Sequence, residues 1–308
     1  MYISYMQISA ILSDYDGTLC PAGSIRNQKE NLIPVNLEEI LWNISDKIPV
    51  CMISSKDFAF LHNRTRFASI ISCIFGIETL VMRRHKKTML TPTNSSEDIP
   101  SDRMSQCQDF ECIKKSYVSI DDATLQHNSE LLSQIAKEIA SDFKEQVSID
   151  QKFTVTSKKR LAAITIDWRH RDDWKSFKVK SEPQLIKVII EKQREFQQQN
   201  RPTNNIIHIQ TYTTHPFIDI YAAKYDKGVA YDYVLSEIPV MDNAIQNVMY
   251  LGDSENDNPA FRKADVSIGV ISDERLSPNL DCQYTVKFVE LADFLEKLHN
   301  DNFVFSGL

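Results

Sequence analysis

Short apolar runs that stop at a polar turn, each followed by residues at helical spacing, recur near both ends of this chain. Gln7–Ser13 stops at Asp14 and Asp16, and in Asn36–Asp46 the residues Leu37, Ile40, Leu41 and Ile44 fall on one helix face. Pro49–Ile53 is the next apolar run, Asp57–Asn63 begins a second helix, and Ser69–Phe75 and Glu78–Met82 read as strands. From Asp226 the alternation returns with a helix at Lys227–Leu235, a strand at Ile245–Leu251 and a helix at Asp257–Lys263. A strand at Val266–Val270 and an amphipathic helix at Val289–His299 complete it. Strands separated by helices predict a parallel sheet covered on both faces: a doubly wound, Rossmann-like α/β core.

The middle of the chain breaks this rhythm. The basic run Arg83–Lys87 and a polar stretch with Pro92 and Pro100 come first, and read most simply as a solvated hairpin. Then Asn128–Phe143 reads as an amphipathic helix, Phe153–Thr156 and Leu161–Trp168 as strands, and Glu182–Gln199 as a long helix. Strands at Asn205–Gln210 and Phe217–Tyr221 follow. The pattern predicts a discontinuous core, 1–115 and 215–308, interrupted by an α+β insert at 116–214.

Composition removes several classes. The chain has 308 residues and a net charge of −7, which argues against nucleic acid as a partner, because phosphate backbones require clustered positive charge. It contains no apolar stretch long enough for a membrane helix. Only 7 glycines are present, with no G-x-G-x-x-G and no Walker loop, so dinucleotide and P-loop sites have no support. The 6 cysteines form no C-x-x-C pair; Cys107 and Cys112 lack partners for a zinc site. Scattered thiols and an apolar start without a basic leader predict a cytoplasmic protein.

The chemistry concentrates at two strand ends. Asp14-Tyr15-Asp16-Gly17-Thr18-Leu19 follows the first strand. Two carboxylates at i and i+2 around a turn can divide labour, one attacking an electrophile and the other shuttling a proton. An acidic turn that merely ends a strand is the plainer reading of such a pair alone. Gly252-Asp253-Ser254-Glu255-Asn256-Asp257 follows another apolar strand. Adjacent in one sheet, the two acidic clusters would repel unless a cation lay between them, and hard carboxylate oxygens suit Mg²⁺. Asp253 or Ser254 can also cap the next helix, which is compatible with metal binding. Ser54 stands at a strand-to-helix junction, a natural phosphate contact, and Lys227 opens a helix where its charge can offset an anion.

Together these segments resemble the haloacid dehalogenase superfamily of phosphohydrolases, with the DxDGT box at Asp14–Thr18, Ser54, Lys227 and the GDxxxND box at Gly252–Asp257. The resemblance covers the core and implies a role for each residue. Asp14 is the nucleophile that becomes an aspartyl-phosphate, and Asp16 is the general acid and base. Thr18, Ser54, Lys227 and Asn256 contact the phosphoryl group. Asp14, the backbone carbonyl of Asp16 and Asp253 hold Mg²⁺, with Asp257 orienting the metal's waters. An insert between the serine and lysine motifs is similar to a C2-type cap, in a branch acting on sugar phosphates and other small phosphate esters. Asp14–Pro21 looks most like trehalose-6-phosphate phosphatases. Those read GDDxTDE in the last motif, whereas Gly252–Asp257 is more like the sucrose-phosphatase and Cof-like relatives.

The implied partner is a small phosphorylated metabolite, chosen by the insert. Lys158, Lys159, Arg169 and Arg171 could bond to its hydroxyl or anionic groups, and Trp168 or Trp174 could stack on a sugar ring; a strand with buried tryptophans is the plainer alternative. Two rivals remain open at this point. One is a phosphomutase or phosphotransferase of the same fold, similar to phosphomannomutases. The other is a non-catalytic protein that binds a phosphorylated ligand.

Overall fold

The computed structural model describes residues 5–21, 32–83, 113–156, 158–199, 207–213, 215–238, 247–272 and 279–307. The basic run beyond Arg83, and Cys107 and Cys112, lie outside the described residues. The core strands are β1 (Met6–Gln7), β2 (Ala10–Ser13), β3 (Val50–Ile53), β4 (Ile70–Cys73), β5 (Glu78–Met82) and β6 (Ile113–Val118). Its first helices are α1 (Val35–Ser45) and α2 (Phe58–Leu61). The insert supplies α3 (Asp122–Phe143), β7 (Ser148–Phe153), β8 (Leu161–Asp167), α4 (Trp174–Gln199), β9 (His208–Thr211) and β10 (Phe217–Tyr221). The core resumes with α5 (Lys227–Glu237), β11 (Val248–Gly252), α6 (Asn258–Phe261), β12 (Val266–Ile271), β13 (Tyr284–Lys287), α7 (Leu291–Asn300) and β14 (Val304–Phe305).

The main sheet has eight strands in the order β13-β12-β11-β2-β3-β4-β5-β6. All pairs from β13 to β4 are parallel, and β5 and β6 add an antiparallel edge. Every residue of β2, β3 and β11 is buried, because both faces are covered. Alternate residues serve opposite faces. Ile11, Met52 and Met249 share a cluster with Leu37 and Leu41 of α1 and Leu295 of α7. Leu12, Cys51 and Tyr250 join Ala230 and Val234 of α5 and Phe261 of α6. This is the doubly wound α/β architecture that the alternation predicts.

From β2 the chain moves outward through β3 to β4, and later returns to β2's other side as β11. The carboxyl ends of β2 and β11 therefore lie side by side at a topological switch point, where open α/β sheets place ligands. Ser13 pairs with Leu251, so Asp14 leaves β2 beside Gly252, the last residue of β11.

The insert builds an antiparallel four-stranded sheet, β7-β8-β10-β9. Ile164, Ile166, Ile218 and Ile220 pack with Leu132, Ile135 and Ile139 of α3 and with Leu185 and Ile189 of α4. The alternate residues, including Lys152, Thr165 and Asp219, turn toward the core. Pairing departs from the expected boundaries in two places. β6 crosses the 115/116 division and belongs to the main sheet, and β10, expected in the core, pairs with β8 and β9. The first insert strand is Ser148–Phe153 rather than Phe153–Thr156, and α4 starts at Trp174 and runs through Pro183. No helix among the described residues is long and apolar enough to cross a membrane.

Candidate active site

Asp14 follows β2 directly, and its N–H donates to the carbonyl of Leu251 at 3.0 Å. The chain then reverses tightly at Gly17, whose N–H reaches the Cys20 carbonyl at 2.8 Å. Gly17 has φ +81°, and a Cβ there would stand 2.0 Å from Asp253 Oδ2. Backbone conformation and space both demand glycine, and the close approach lets the two acidic loops touch. Thr18 Oγ1 donates to Asp253 Oδ1 at 3.5 Å. Asp16 faces the cleft, 3.5 Å from Lys56 Nζ.

The loop after β11 is organised by Asp257, which is fully buried. Its Oδ2 accepts from the N–H groups of Asp253 and Ser254, both at 3.0 Å, and from Ser254 Oγ at 3.2 Å. Ser254 thereby forms a capping box with Asp257, so the helix-capping expectation holds for Ser254. Asp257 Oδ1 accepts from Tyr250 OH and Lys227 Nζ, both at 2.6 Å. Lys227 is the first residue of α5, whose N-cap Asp226 accepts from Val229 N–H at 2.9 Å. From there Nζ also lies 3.0 Å from Asp14 Oδ2.

Burial raises the Asp14 carboxyl to about 7 against the counter-pull of Lys227, with Asp257 and Asp16 adding to the rise. Burial works the other way on Lys227, but Asp14 and Asp257 more than offset it and hold the ammonium charged. Asp14, Asp253 and Asp257 each offer an oxygen within 4.8 Å of the others. Against them stands one buried ammonium, so with all three ionised two negative charges are left over in a largely buried site, a cost that the raised Asp14 carboxyl reflects. A divalent cation with oxygen ligands fits that donor set. Asp257 is already engaged by five donors, so Asp14 and Asp253 are the carboxylates that could hold such an ion directly.

These groups open into a cleft of about 130 Å³ between the core and the insert. Asp14, Asp16, Lys227, Asp253 and Asn256 line it. Ser54 and Thr18, expected to contact the phosphoryl group, sit behind the wall. Ser54 is buried and its Oγ accepts from Lys56 N–H at 3.2 Å, while Ser55 and Lys56 form the surface. Phe75 also lines the cleft, 5.9 Å from Lys227 Nζ, placed there by the left-handed residues Ile74, Phe75 and Gly76. Gly76 was the available sequence signal for that turn.

The insert forms the roof. Lys152 Nζ donates to Thr165 Oγ1 at 2.6 Å and lies 3.5 Å from Asp219 Oδ1. Thr165 Oγ1 donates to the same carboxylate, and Tyr212 OH donates to Asp219 Oδ2 at 2.7 Å. Burial pushes Asp219 up, but Lys152, Thr165 and Tyr212 outweigh it and hold the carboxyl below its ordinary range. Sequence reasoning missed Lys152, Thr165 and Asp219, although alternation along β7, β8 and β10 places them on the face opposite the isoleucines.

Of the five insert residues expected to meet a ligand, Arg169 lines the cleft, paired with Asp167 at 2.5 Å and lying over the Phe217 ring at 5.3 Å. The other four do not. Trp168 is fully buried with its ring 5.8 Å from Phe177, so it has no free face for a sugar. Arg171 pairs with Asp173 at 2.8 Å and Lys158 with Asp122 at 3.5 Å, both away from the cleft. Lys159 is exposed in a turn, also outside it.

Residues 11–274 match the family model described as haloacid dehalogenase-like hydrolase. No curated protein matches the chain in sequence. Among solved structures, a trehalose-6-phosphate phosphatase related protein shares 16% identity over 95% of this chain and 97% of its own, with a TM-score of 0.57. The C-terminal domain of C. albicans trehalose-6-phosphate phosphatase shares 15% over 96% and 93%, with a TM-score of 0.56. A haloacid dehalogenase-like hydrolase from Bacteroides thetaiotaomicron shares 14% over 95% and 100%, with a TM-score of 0.53. At these identities the likeness is one of fold.

Proposed function

The chain belongs to the haloacid dehalogenase-like hydrolases, and from that premise we propose that it is a Mg²⁺-dependent phosphomonoester hydrolase acting through an aspartyl-phosphate. The observation that carries this reading is the buried Asp14 carboxylate at the switch point, gripped by Lys227 and facing the same cleft as Asp16 and Asp253. Asp14 attacks phosphorus, and the bond to the leaving oxygen breaks as Asp16 gives that oxygen a proton. Asp16 then takes a proton from a water that attacks the same phosphorus, releasing inorganic phosphate and restoring Asp14. Lys227 offsets charge on the transferred group throughout, and Asp257 keeps Lys227 aimed. Mg²⁺ held by Asp14, Asp253 and the Asp16 carbonyl would supply further positive charge, favouring ionised Asp14 and neutralising phosphoryl oxygens.

The roof supports a small sugar-phosphate-like substrate, of the trehalose-6-phosphate type. Lys152 and Arg169 each have a carboxylate partner, Asp219 and Asp167, and Asp150 adds an acceptor. Such a lining offers hydroxyl groups many acceptors and leaves a net negative charge, which suits a neutral polyol as leaving group. Cys51, Cys73 and Cys282 are free thiols, in keeping with a cytoplasmic setting.

The test is phosphate release from an aryl phosphate and a panel of sugar phosphates, with Mg²⁺ and with a chelator. Asp14→Asn should abolish release while the protein keeps its thermal transition, and the chelator should do the same to the unmutated enzyme. Turnover near the unmutated level in Asp14→Asn would remove Asp14 from the nucleophile's role.

A further inference from the structure

Glu78 opens β5. Because β5 runs antiparallel to β4, its first residue lies at the carboxyl end of the parallel strands, the end that carries Asp14. The residue is fully buried, yet its carboxylate is bonded by donors of the insert. Both carboxylate oxygens accept from Val155 N–H at 3.0 Å. Oε1 also accepts from Thr156 N–H at 2.9 Å and from Thr156 Oγ1 at 2.5 Å. A second core carboxylate works beside it. Asp57 caps α2 through Phe60 N–H at 3.0 Å, and its other oxygen reaches Phe153 N–H at 3.5 Å.

Two core carboxylates thus hold segment 153–156, the turn that ends β7. The same strand carries Asp150 and Lys152, which line the roof of the cleft. A buried carboxylate is tolerated only when donors satisfy it, and charged acceptors make the stronger bonds. Here the insert supplies the donors. If the insert lifts away, Glu78 loses them and two backbone N–H groups lose their acceptor.

We infer that Glu78 is a positioning residue that latches segment 153–156 to the core and so sets Asp150 and Lys152 over Asp14. Its effect on turnover rests on the function proposed above; the latch itself does not. Glu78 touches no reacting atom. It acts by fixing the height and register of β7, and with them the fit of the roof to the leaving group.

The experiment uses the full chain carrying Glu78→Gln or Thr156→Val. Glu78→Gln replaces one acceptor oxygen with a donor facing donors; Thr156→Val removes only the hydroxyl, on an exposed residue. Amide hydrogen exchange is read at Val155 and Thr156 and, as a reference, at residues 163–166 of β8. Glu78→Gln should speed exchange at the two amides by about tenfold or more, with β8 unchanged, and Thr156→Val should do so by a smaller factor. For a sugar phosphate that the unmutated enzyme hydrolyses, KM should rise while kcat changes little, and an aryl phosphate too small to reach the roof should show a smaller KM change. Unchanged exchange at the two amides in a folded variant overturns the latch, as does acceleration spread equally over β8. Should Glu78→Gln fail to fold, Thr156→Val decides alone. Selective acceleration with no hydrolysis by any form of the protein would uphold the latch and count against the hydrolase reading.

Discussion

The core wall of the cleft and its roof use the same side chains in opposite ways. In the wall, Asp14, Asp253 and Asp257 crowd around one ammonium, Lys227, and negative charge is left over. In the roof, Lys152 has Asp219 and Arg169 has Asp167. An unbalanced wall fits a cation and is suited to chemistry. A roof whose cations each have a carboxylate partner is suited to recognition, because its hydrogen-bonding groups are already fixed in place. The two also differ in how the chain writes them. The wall's carboxylates come from loops, so they are close in sequence: 14 and 16, and 253 and 257. The roof comes from strand faces. Asp150 pairs with Thr165, and Thr165 with Asp219, as one row across three strands.

Removing a cation from each region is the sharpest way to break this contrast. Lys227→Met leaves Asp14 and Asp257 buried beside each other. It should cost about 3–5 kcal/mol of stability in metal-free protein and lower kcat by about 10²–10³. Denaturant unfolding with and without Mg²⁺, together with phosphate release, reads both effects. Part of the lost stability should return when Mg²⁺ is added. If the metal restores nothing, the excess charge in the wall is not what the cation answers.

The same contrast explains what was legible beforehand. Parallel strands buried on both faces read as apolar runs, so the core and its motif positions could be placed from the sequence. β6 escaped because it is a half-exposed edge carrying Lys114 and Lys115. β7 escaped because its one well-buried residue is Lys152, a charge satisfied by partners far along the chain. For Trp168, where stacking on a sugar and burial in a strand were both open, burial holds for a related reason. Asp167 and Arg169 face the cleft, and neighbours in an extended chain point to opposite sides. Trp168 must then face the insert's own core, where it packs on Phe177. Ser54 and Thr18 lie next to residues that line the cleft or its loops, but their own side chains are buried, and side-chain direction is a property of the fold around them.

Asp219 tests the roof's ion pairing through pH. Its native pKa is held below the ordinary carboxylate value, so the unfolded chain binds the proton more readily. The stabilisation is therefore present above the unfolded value and is lost as pH falls through the native one. Asp219→Asn strands Lys152 and should cost about 3 kcal/mol at pH 7. The gap between the variant and the unmutated protein should narrow as pH drops below about 4. Unfolding midpoints measured at both pH values check this. A gap that stays constant would mean that Asp219 is not held as a charge by Lys152.

The smallest expected effect separates two arginines that the sequence placed together. Arg169 and Arg171 lie two residues apart, each over an aromatic ring and each paired with an aspartate. Only their surroundings differ. Arg169 lines the cleft beside Phe217, while Arg171 lies over Phe177 and pairs with the exposed Asp173. Arg169→Ala should raise KM for a sugar phosphate by roughly 3- to 10-fold, the value of one good polar contact, with kcat nearly unchanged. Arg171→Ala should leave both constants and the thermal midpoint within experimental scatter, since an exposed ion pair adds little. Equal rises in KM would place Arg171 in the recognition surface and extend the roof beyond the cleft as drawn. A fall in kcat for Arg169→Ala with KM unchanged would shift Arg169 from recognition to the chemistry of the wall.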